Sequence, residues 1–427
     1  MGPITRLRQT ADFDAFRCIG AACEDTCCGG WGVTIDRQTY EKYQSCSDPE
    51  MGPLLRQFMT IDAAKGTEHD FVRIGLTGNY CPFLAEGLCS VQLKLGESYL
   101  SNTCASYPRV IAVIDGTEER VLHLSCPEAA RLVLLNHGPI EWSERAVDGK
   151  APTLGALVLD SQRANRAGTP YPYFQEVREL FLQVLQVKDY ARWQRLEILG
   201  QLAEEFNAIL GSREAAGVHA DETAAFIERW HAALRTKSFQ FGYAKGTHSP
   251  IQVEAVLELI VARIDSDFTS HRFLECYRAV MRGLRWGPET TMEEIGSRYA
   301  EARARDYAPF IQRHEYLFDN FLNNYCLQMV FPYGHREIEY KMRIEYVEGS
   351  VRRQYLLLAV HYAVARGMMI GMTAFHGAEF GLELAVKLLQ AYAKAFLHSS
   401  SFPEKALRIL ASHGIERASD AVVLFQE

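Results

Sequence analysis

Positive charge is what this chain has little of. Forty-five lysines and arginines stand against 53 aspartates and glutamates, giving a net charge of -8 and a pI near 6.0. A nucleic-acid binder carries a basic footprint, so that class is excluded. An acidic surface instead suits a lysine-bearing partner. An apolar leader is missing too. The opening Met1–Phe16 stretch has no hydrophobic core of the kind a signal peptide needs, so the expected location is the cytoplasm. Thiols stay reduced there and structural disulfides are rare. Long hydrophobic runs are nearly absent. The most apolar, Tyr355–Phe375, contains His361 and Arg366, both costly at a bilayer centre, so a buried helix and no membrane span is expected. No segment repeats at a fixed period, which excludes a solenoid. No glycine-rich loop sits between a strand and a helix to cradle a nucleotide-like cofactor. The C-x3-C-x2-C spacing of radical S-adenosylmethionine enzymes starts at Cys23 and Cys27 but meets Gly30 at its third position. After Cys126, cysteine itself becomes scarce, with only Cys276 and Cys326.

What is present is the converse. Nine of the eleven cysteines lie between Cys18 and Cys126. Disulfides, zinc or an iron–sulfur cluster would account for such density. Zinc wants two short ligand pairs, and Cys23-x3-Cys27 supplies one. Cys81-x7-Cys89 is too wide for the second, and Cys104 and Cys126 stand alone. Iron–sulfur clusters accept looser spacing, often with one distant ligand. Leaving out Cys46, eight cysteines suffice for one cluster with spares, or for two. The adjacent Cys27-Cys28 pair can serve two neighbouring centres or two irons of one cluster. Gly29-Gly30 behind it allows close backbone approach. Cys126 precedes Pro127 and Glu128, a helix-start signature, so its thiol is expected at the positive end of a helix dipole, which favours thiolate. Cys46, Cys276 and Cys326 read as small buried hydrophobes.

The expected fold is α+β, predominantly α. A small cysteine-rich metal- or cluster-binding domain spans 1–140, a Gly/Pro-rich connector 141–171, and an all-helical domain 172–427. In the first part, Trp31–Asp36 and Phe71–Gly75 read as strands and Arg37–Tyr43 as a helical turn. Val110–Ile114 and Val121–Leu124 read as a hairpin around Asp115-Gly116, with a loop longer than two residues. In the second part a 3.6-residue apolar spacing runs through Phe174–Leu185 and Leu196–Ile209. Helices are also expected at Glu222–Leu234, Ile251–Ile264, Arg272–Leu284, Thr291–Ala304, Arg313–Val330, Ile338–Glu348, Gln354–Ile370, Gly377–Phe396 and Glu404–Ser412.

Several blocks then match a known pattern. They are Phe16-Arg17-Cys18-Ile19-Gly20 with Cys23-Glu24-Asp25-Thr26-Cys27-Cys28 and Gly30-Trp31, Cys81-Pro82-Phe83-Leu84 with Gly87-Leu88-Cys89, and Thr103-Cys104 through Tyr107-Pro108-Arg109. Leu124-Ser125-Cys126-Pro127-Glu128 and Asn320–Tyr325 through Phe331–Gly334 complete the set. Together they resemble the flagellin lysine N-methylase family. The cysteine blocks are shared with a broader group of zinc- or iron-chelating domains. The resemblance implies methyl transfer from S-adenosylmethionine to flagellin lysines and a [4Fe–4S] cluster. Its candidate ligands are Cys18, Cys23, Cys27, Cys28, Cys81, Cys89, Cys104 and Cys126, without saying which four bind. A zinc or iron ion is the alternative occupant. The alternative functions are a non-enzymatic chelating protein and an iron–sulfur electron-transfer module.

Other residues carry a weaker signal. Trp31, Tyr80, Tyr99, Tyr107, Tyr325 and Tyr333 are of a type that suits a sulfonium or a lysine cation. Arg109 can anchor a donor carboxylate or pair with Glu128. His123 alternates with Leu122 and Leu124, which places it on the solvated face of the hairpin. Glu24-Asp25 reads as a solvated acidic pair, and Met368, Met369 and Met372 as core.

Overall fold

The structure is a computed structural model. It describes residues 3–29, 33–61, 68, 71–78, 80–150, 156–162, 171–211, 218–241, 250–264, 270–334, 336–338, 341–343 and 350–426. Trp31, Gly30 and the start of the Trp31–Asp36 strand lie outside the described residues, as does most of Ile338–Glu348.

Strands come first in the chain: β1 (Ile4–Thr10), β2 (Thr34–Ile35), β3 (Met59–Ile61), β4 (Val72–Ile74), β5 (Leu84–Ala85), β6 (Leu88–Cys89), β7 (Arg109–Ile114), β8 (Thr117–Leu122), β9 (Trp142–Lys150) and β10 (Leu157–Leu159). Two more, β11 (Arg336–Ile338) and β12 (Lys341–Arg343), interrupt the helices. Among the described residues seven strands form one mixed sheet in the order β11-β12-β10-β7-β8-β1-β9. The β7–β8 hairpin is tighter than its sequence suggests. Ile114 pairs with Thr117, leaving a two-residue loop in which Asp115 and Gly116 both have positive φ, 48° and 77°. That is the turn geometry matching strand twist. The strand start was hidden by Thr117, Glu118 and Glu119, polar residues that are nonetheless buried. Glu118 pairs with Arg120, and Glu119 with Arg178 at 2.6 Å.

Two further expectations change. The 141–171 stretch, read as a connector, carries β9 and β10. β9 pairs antiparallel with β1, and β10 parallel with β7. The helix expected over Ile338–Glu348 is contradicted where the chain is described: β11 and β12 form an antiparallel pair whose inner strand joins the sheet at Val158. The second half is therefore not purely helical, although the α+β, mostly α reading holds.

The apolar face of the hairpin (Ala112, Ile114, Leu122) and of the Pro127–Leu134 helix joins the same core as the helices that follow. At its centre runs the Ser350–His376 helix. Val351–Glu379 is long and apolar enough to cross a membrane, and its apolar window is wholly buried inside the protein. Close packing there relies on glycine. A Cβ on Gly283 would lie 2.0 Å from the Gly371 carbonyl oxygen. Met368, Met369 and Met372 are core residues, as read. A second, smaller core gathers Val33, Ile35, Tyr43, Met51, Leu55, Val72, Ile74, Phe83 and Val91, with Cys28, Cys89 and Cys104 at its edge.

Candidate functional site

Short-range backbone geometry brings four thiols together at the edge of the small core. Thr26 Oγ1 accepts from the Cys28 N–H at 3.0 Å, which turns the chain so that the Cys28 carbonyl accepts from Cys81 N–H at 2.7 Å. Gly29 bridges to Tyr80 so closely that a Cβ would lie 2.9 Å from the ring. The β5–β6 hairpin turns through Glu86 and Gly87, both at positive φ, and returns Cys89 opposite Leu84. The Cys28 thiol thereby makes hydrogen bonds with Cys27, Cys81 and Cys89. Its single proton can go to only one of the three sulfurs at a time; holding it raises the Cys28 pKa and lowers its neighbours'. Cys27 drops to about 7 and Cys89 to about 6, and Cys81 is also lowered. Cys104 flanks the group on the Asn102–Ser106 helix, which Ser101 caps by accepting from Cys104 N–H. Burial pushes that thiol up to about 12, with Cys89, Cys81 and Cys27 nearby.

Cys18, Cys23 and Cys126 form a separate neighbourhood. Burial raises Cys23. It also raises Cys126 to about 11, against the lowering effect of the Ala129 and Glu128 N–H groups at the helix start. The expected thiolate at that helix end is thus overturned: the dipole acts as anticipated, and desolvation outweighs it. All eleven cysteines are free thiols.

The thiol loop is fastened to the C-terminal helices. Gln390 Nε2 donates to Asp25 Oδ2 at 3.0 Å and to the Ser125 carbonyl at 2.7 Å. Lys394 Nζ donates to Asp25 Oδ1 at 2.8 Å and to the Thr26 carbonyl at 2.7 Å. Ser125 Oγ lies 2.9 Å from both His398 Nε2 and the Tyr107 hydroxyl. His123 stacks on His398 at 4.2 Å and accepts from Ser125 N–H. Burial, reinforced by Lys394, holds His398 down at about 4. Burial and His398 hold His123 well below its ordinary value. Burial raises Tyr107. The seam is therefore a dry array of neutral rings beside one Lys–Asp pair. Gln390 Oε1 is buried in it without a hydrogen-bond partner among the described residues.

Several sequence readings change here. His123 does not face solvent. It follows the end of β8 and packs against the helical half. Only half of the acidic pair is solvated as read: Glu24 is exposed and pairs with Arg131 and Arg272, whereas Asp25 is half-buried against Lys394. Arg109 does not pair with Glu128, which is taken by Arg131. The Arg109 guanidinium lies over the Phe13 and Phe16 rings and donates to the Ala105 carbonyl. Of the aromatic candidates, Tyr80 and Tyr107 lie beside the thiols. Tyr99 is covered by Lys42, and Tyr325 and Tyr333 belong to the large core. The Asn320–Tyr325 block is a docking device. Asn320 donates to the Leu134 and Asn136 carbonyls, and Asn324 to that of Leu122. Sequence reading missed Gln390, Lys394 and His398. Their signal was a polar stripe at i, i+4 and i+8 on an otherwise apolar run.

Cys27, Cys28, Cys81 and Cys89 are of the donor type that an iron–sulfur cluster takes, but they are not arranged around a single metal-ion position. Among the described residues no three His, Cys, Asp or Glu side chains are grouped so as to hold a metal ion.

Residues 178–424 match the family model of the FliB lysine N-methylase C-terminal domain. A lysine-N-methylase of Salmonella typhimurium is 31% identical over 142 residues, 33% of this chain and 35% of its own length. A lysine-N-methylase of Salmonella choleraesuis is 31% identical over 133 residues, covering 31% and 33%. The flagellar biosynthetic protein FliU of Salmonella muenchen is 32% identical over 120 residues, 28% of this chain and 71% of its own length. The chain thus spans about a third of the two lysine-N-methylases it matches. No solved structure matches it.

Proposed function

Because the chain belongs to the FliB lysine N-methylase family, we propose that it transfers methyl groups from S-adenosylmethionine to lysine side chains of flagellin. The reaction takes place in the cytoplasm, before export. The observation that carries this reading is the family match over 178–424. The matched region also contains Gln390, Lys394 and His398, the side chains that close over the thiol loop.

In this reading Cys27, Cys28, Cys81 and Cys89 hold a [4Fe–4S] cluster, with Cys104 beside them. Bound there, the group supplies a charged, redox-active cross-link between two chain segments. The chain's own residues do the rest. A lysine amine must lose its proton before it can take a methyl group, against a free pKa of about 10.4. An amine brought against this seam meets little water, which favours its neutral form. Gln390 Oε1 offers it a hydrogen-bond acceptor. The neutral His398–Ser125–Tyr107 array fixes that geometry without adding charge.

Mass spectrometry of flagellin co-expressed with this protein tests the proposal. Lysine mass increments of one to three methyl groups are expected. Their absence, with no binding of S-adenosylmethionine, rejects it. Cys28→Ala should remove bound iron and sulfide and abolish methylation together. Methylation that persists without iron would reject the cluster's part in the reaction while leaving the transferase reading intact.

A further inference from the structure

The Glu24 partner Arg272 opens the His271–Gly283 helix, and the far end of that helix forms part of a second feature. Ten residues along, about 15 Å from the thiol loop's anchor, Arg282 and Gly283 line a cleft of about 300 Å³. The other walls come from the ends of two neighbouring helices, Met292–Ala302 and Ser350–His376, and from the π-helical turn Arg303–Tyr307. Its floor is made of small residues, Gly283, Ala302 and Ala374, and Phe375 stands at the rim, 41% exposed. Four arginines line it, at 282, 285, 298 and 305, against one carboxylate, Glu301.

The bland explanation is that arginines gather where helix ends present unpaired carbonyls. It accounts for Arg298, and neighbouring carboxylates account for Arg305. Arg298 donates toward the Leu284 and Arg285 carbonyls, and Arg305 is taken up by Glu301 and Asp306. Arg282, in the last turn of its helix, and Arg285, just beyond it, make no such bond among the described residues. Both are exposed, and among the described residues neither has an acidic partner. Arg282 lies over the Phe375 ring at 5.8 Å. Arg285 holds a left-handed backbone, φ 46°, which costs a non-glycine residue energy and recurs at ligand-binding positions. The Arg303–Tyr307 π turn is of a kind that also recurs at functional sites. On a chain of net charge -8, two unpaired guanidiniums beside an open aromatic face are a local reversal of sign.

We propose that this cleft binds an acidic peptide segment of a partner protein, one that pairs carboxylate side chains with an apolar one. Carboxylates meet Arg282 and Arg285, and the apolar side chain lies on the Gly283–Ala374 floor against Phe375. A compact phosphate suits the cleft less well. Arg298 and Arg305 are already committed, Glu301 opposes a concentrated negative charge, and the apolar floor would go unused. Carboxylates spaced along a chain avoid all three problems. The site is distinct from the thiol loop and does not depend on methyl transfer.

Fluorescence anisotropy on the full chain tests this with a fluorescein-labelled peptide of alternating glutamate and leucine. Binding should weaken as salt rises. It should weaken at least ~10-fold in the double variant Arg282→Glu with Arg285→Glu, the expected scale for reversing two rim charges. Arg408→Glu, an exposed arginine elsewhere, should bind like the parent. If the double variant unfolds, Arg282→Gln with Arg285→Gln replaces it, with a smaller loss expected. The proposal is overturned if the same peptide with glutamine in place of glutamate binds equally well. It is also overturned if the arginine variants bind like the parent, if Arg408→Glu weakens binding as much, or if inorganic pyrophosphate displaces the peptide at lower concentration than unlabelled peptide does.

Discussion

The two cores of this protein are built by different physics. The large one, from the β7–β8 hairpin to the C-terminus, is held by dry apolar packing around the Ser350–His376 helix. The small one, which carries the thiols, has strands of two or three residues and is stitched by turns and side-chain hydrogen bonds. Packing energy is spread over many contacts, whereas stitching concentrates it in a few polar bonds. The first region should therefore resist any loss except cavities in its interior. The second should respond to single hydrogen bonds.

Breaking the large core gives the greatest effect. Phe321 is fully buried and packs edge-to-face with Phe318 and Tyr392. Phe321→Ala should cost about 3–5 kcal/mol in denaturant unfolding followed by far-ultraviolet circular dichroism. A loss under about 1 kcal/mol would show that this interior is loosely packed and would remove the contrast with the small core.

The seam between the regions comes next, and it depends on pH. His398 is held at about 4 in the folded protein, against roughly 6.5 when unfolded. The folded state resists protonation, so below pH 6.5 the unfolded state binds more protons and stability falls with pH. The loss accumulates between about 6.5 and 4 and is complete below that, on the order of 3 kcal/mol for this ring. His361, at about 3, adds a similar loss from within the large core. His398→Gln should flatten part of the slope of stability against pH between 4 and 6.5. A slope unchanged by the substitution would mean that the ring is not desolvated at the seam.

Where sequence could be read follows the same division. The helices were legible because apolar residues at helical spacing face one large interior, and Phe174, Val177, Leu180, Phe181, Val184 and Leu185 are all buried as that spacing requires. The first strands escaped. β1 (ITRLRQT) and β9 (WSERAVDGK) are rich in charge, and they pair with each other across the whole chain segment between them. Nothing local announces such a partner. The cysteines were legible as a set of ligand type but not in their grouping. The turn at Thr26 and the β5–β6 hairpin, not their spacing, bring Cys27, Cys28, Cys81 and Cys89 together. The same geometry leaves Cys18, Cys23 and Cys126 elsewhere. The seam was missed because Ser125 and His398 are 273 residues apart. Only the Gln390–Lys394–His398 stripe pointed to it.

The smallest predicted effect separates the two regions most sharply. Asp36 is buried and does three things at once. It caps the Arg37–Gln44 helix by accepting from Thr39 N–H at 2.9 Å, it accepts from the Thr39 hydroxyl at 2.8 Å, and it accepts from Asn102 N–H at 3.1 Å. The last bond fixes the start of the helix that carries Cys104. Asp36→Ala should therefore cost the small core about 1–2 kcal/mol, the scale of a lost N-cap. If the small core opens as its own unit, the cost appears as faster reaction of the thiols with a thiol-specific reagent, while the helical midpoint in denaturant stays in place. If the helical midpoint moves by the full amount and thiol reactivity tracks it, the two cores unfold as one. The stitching around the cysteines would then be stabilised by the packing behind it, through Lys394, Gln390 and Arg272, rather than by its own turns.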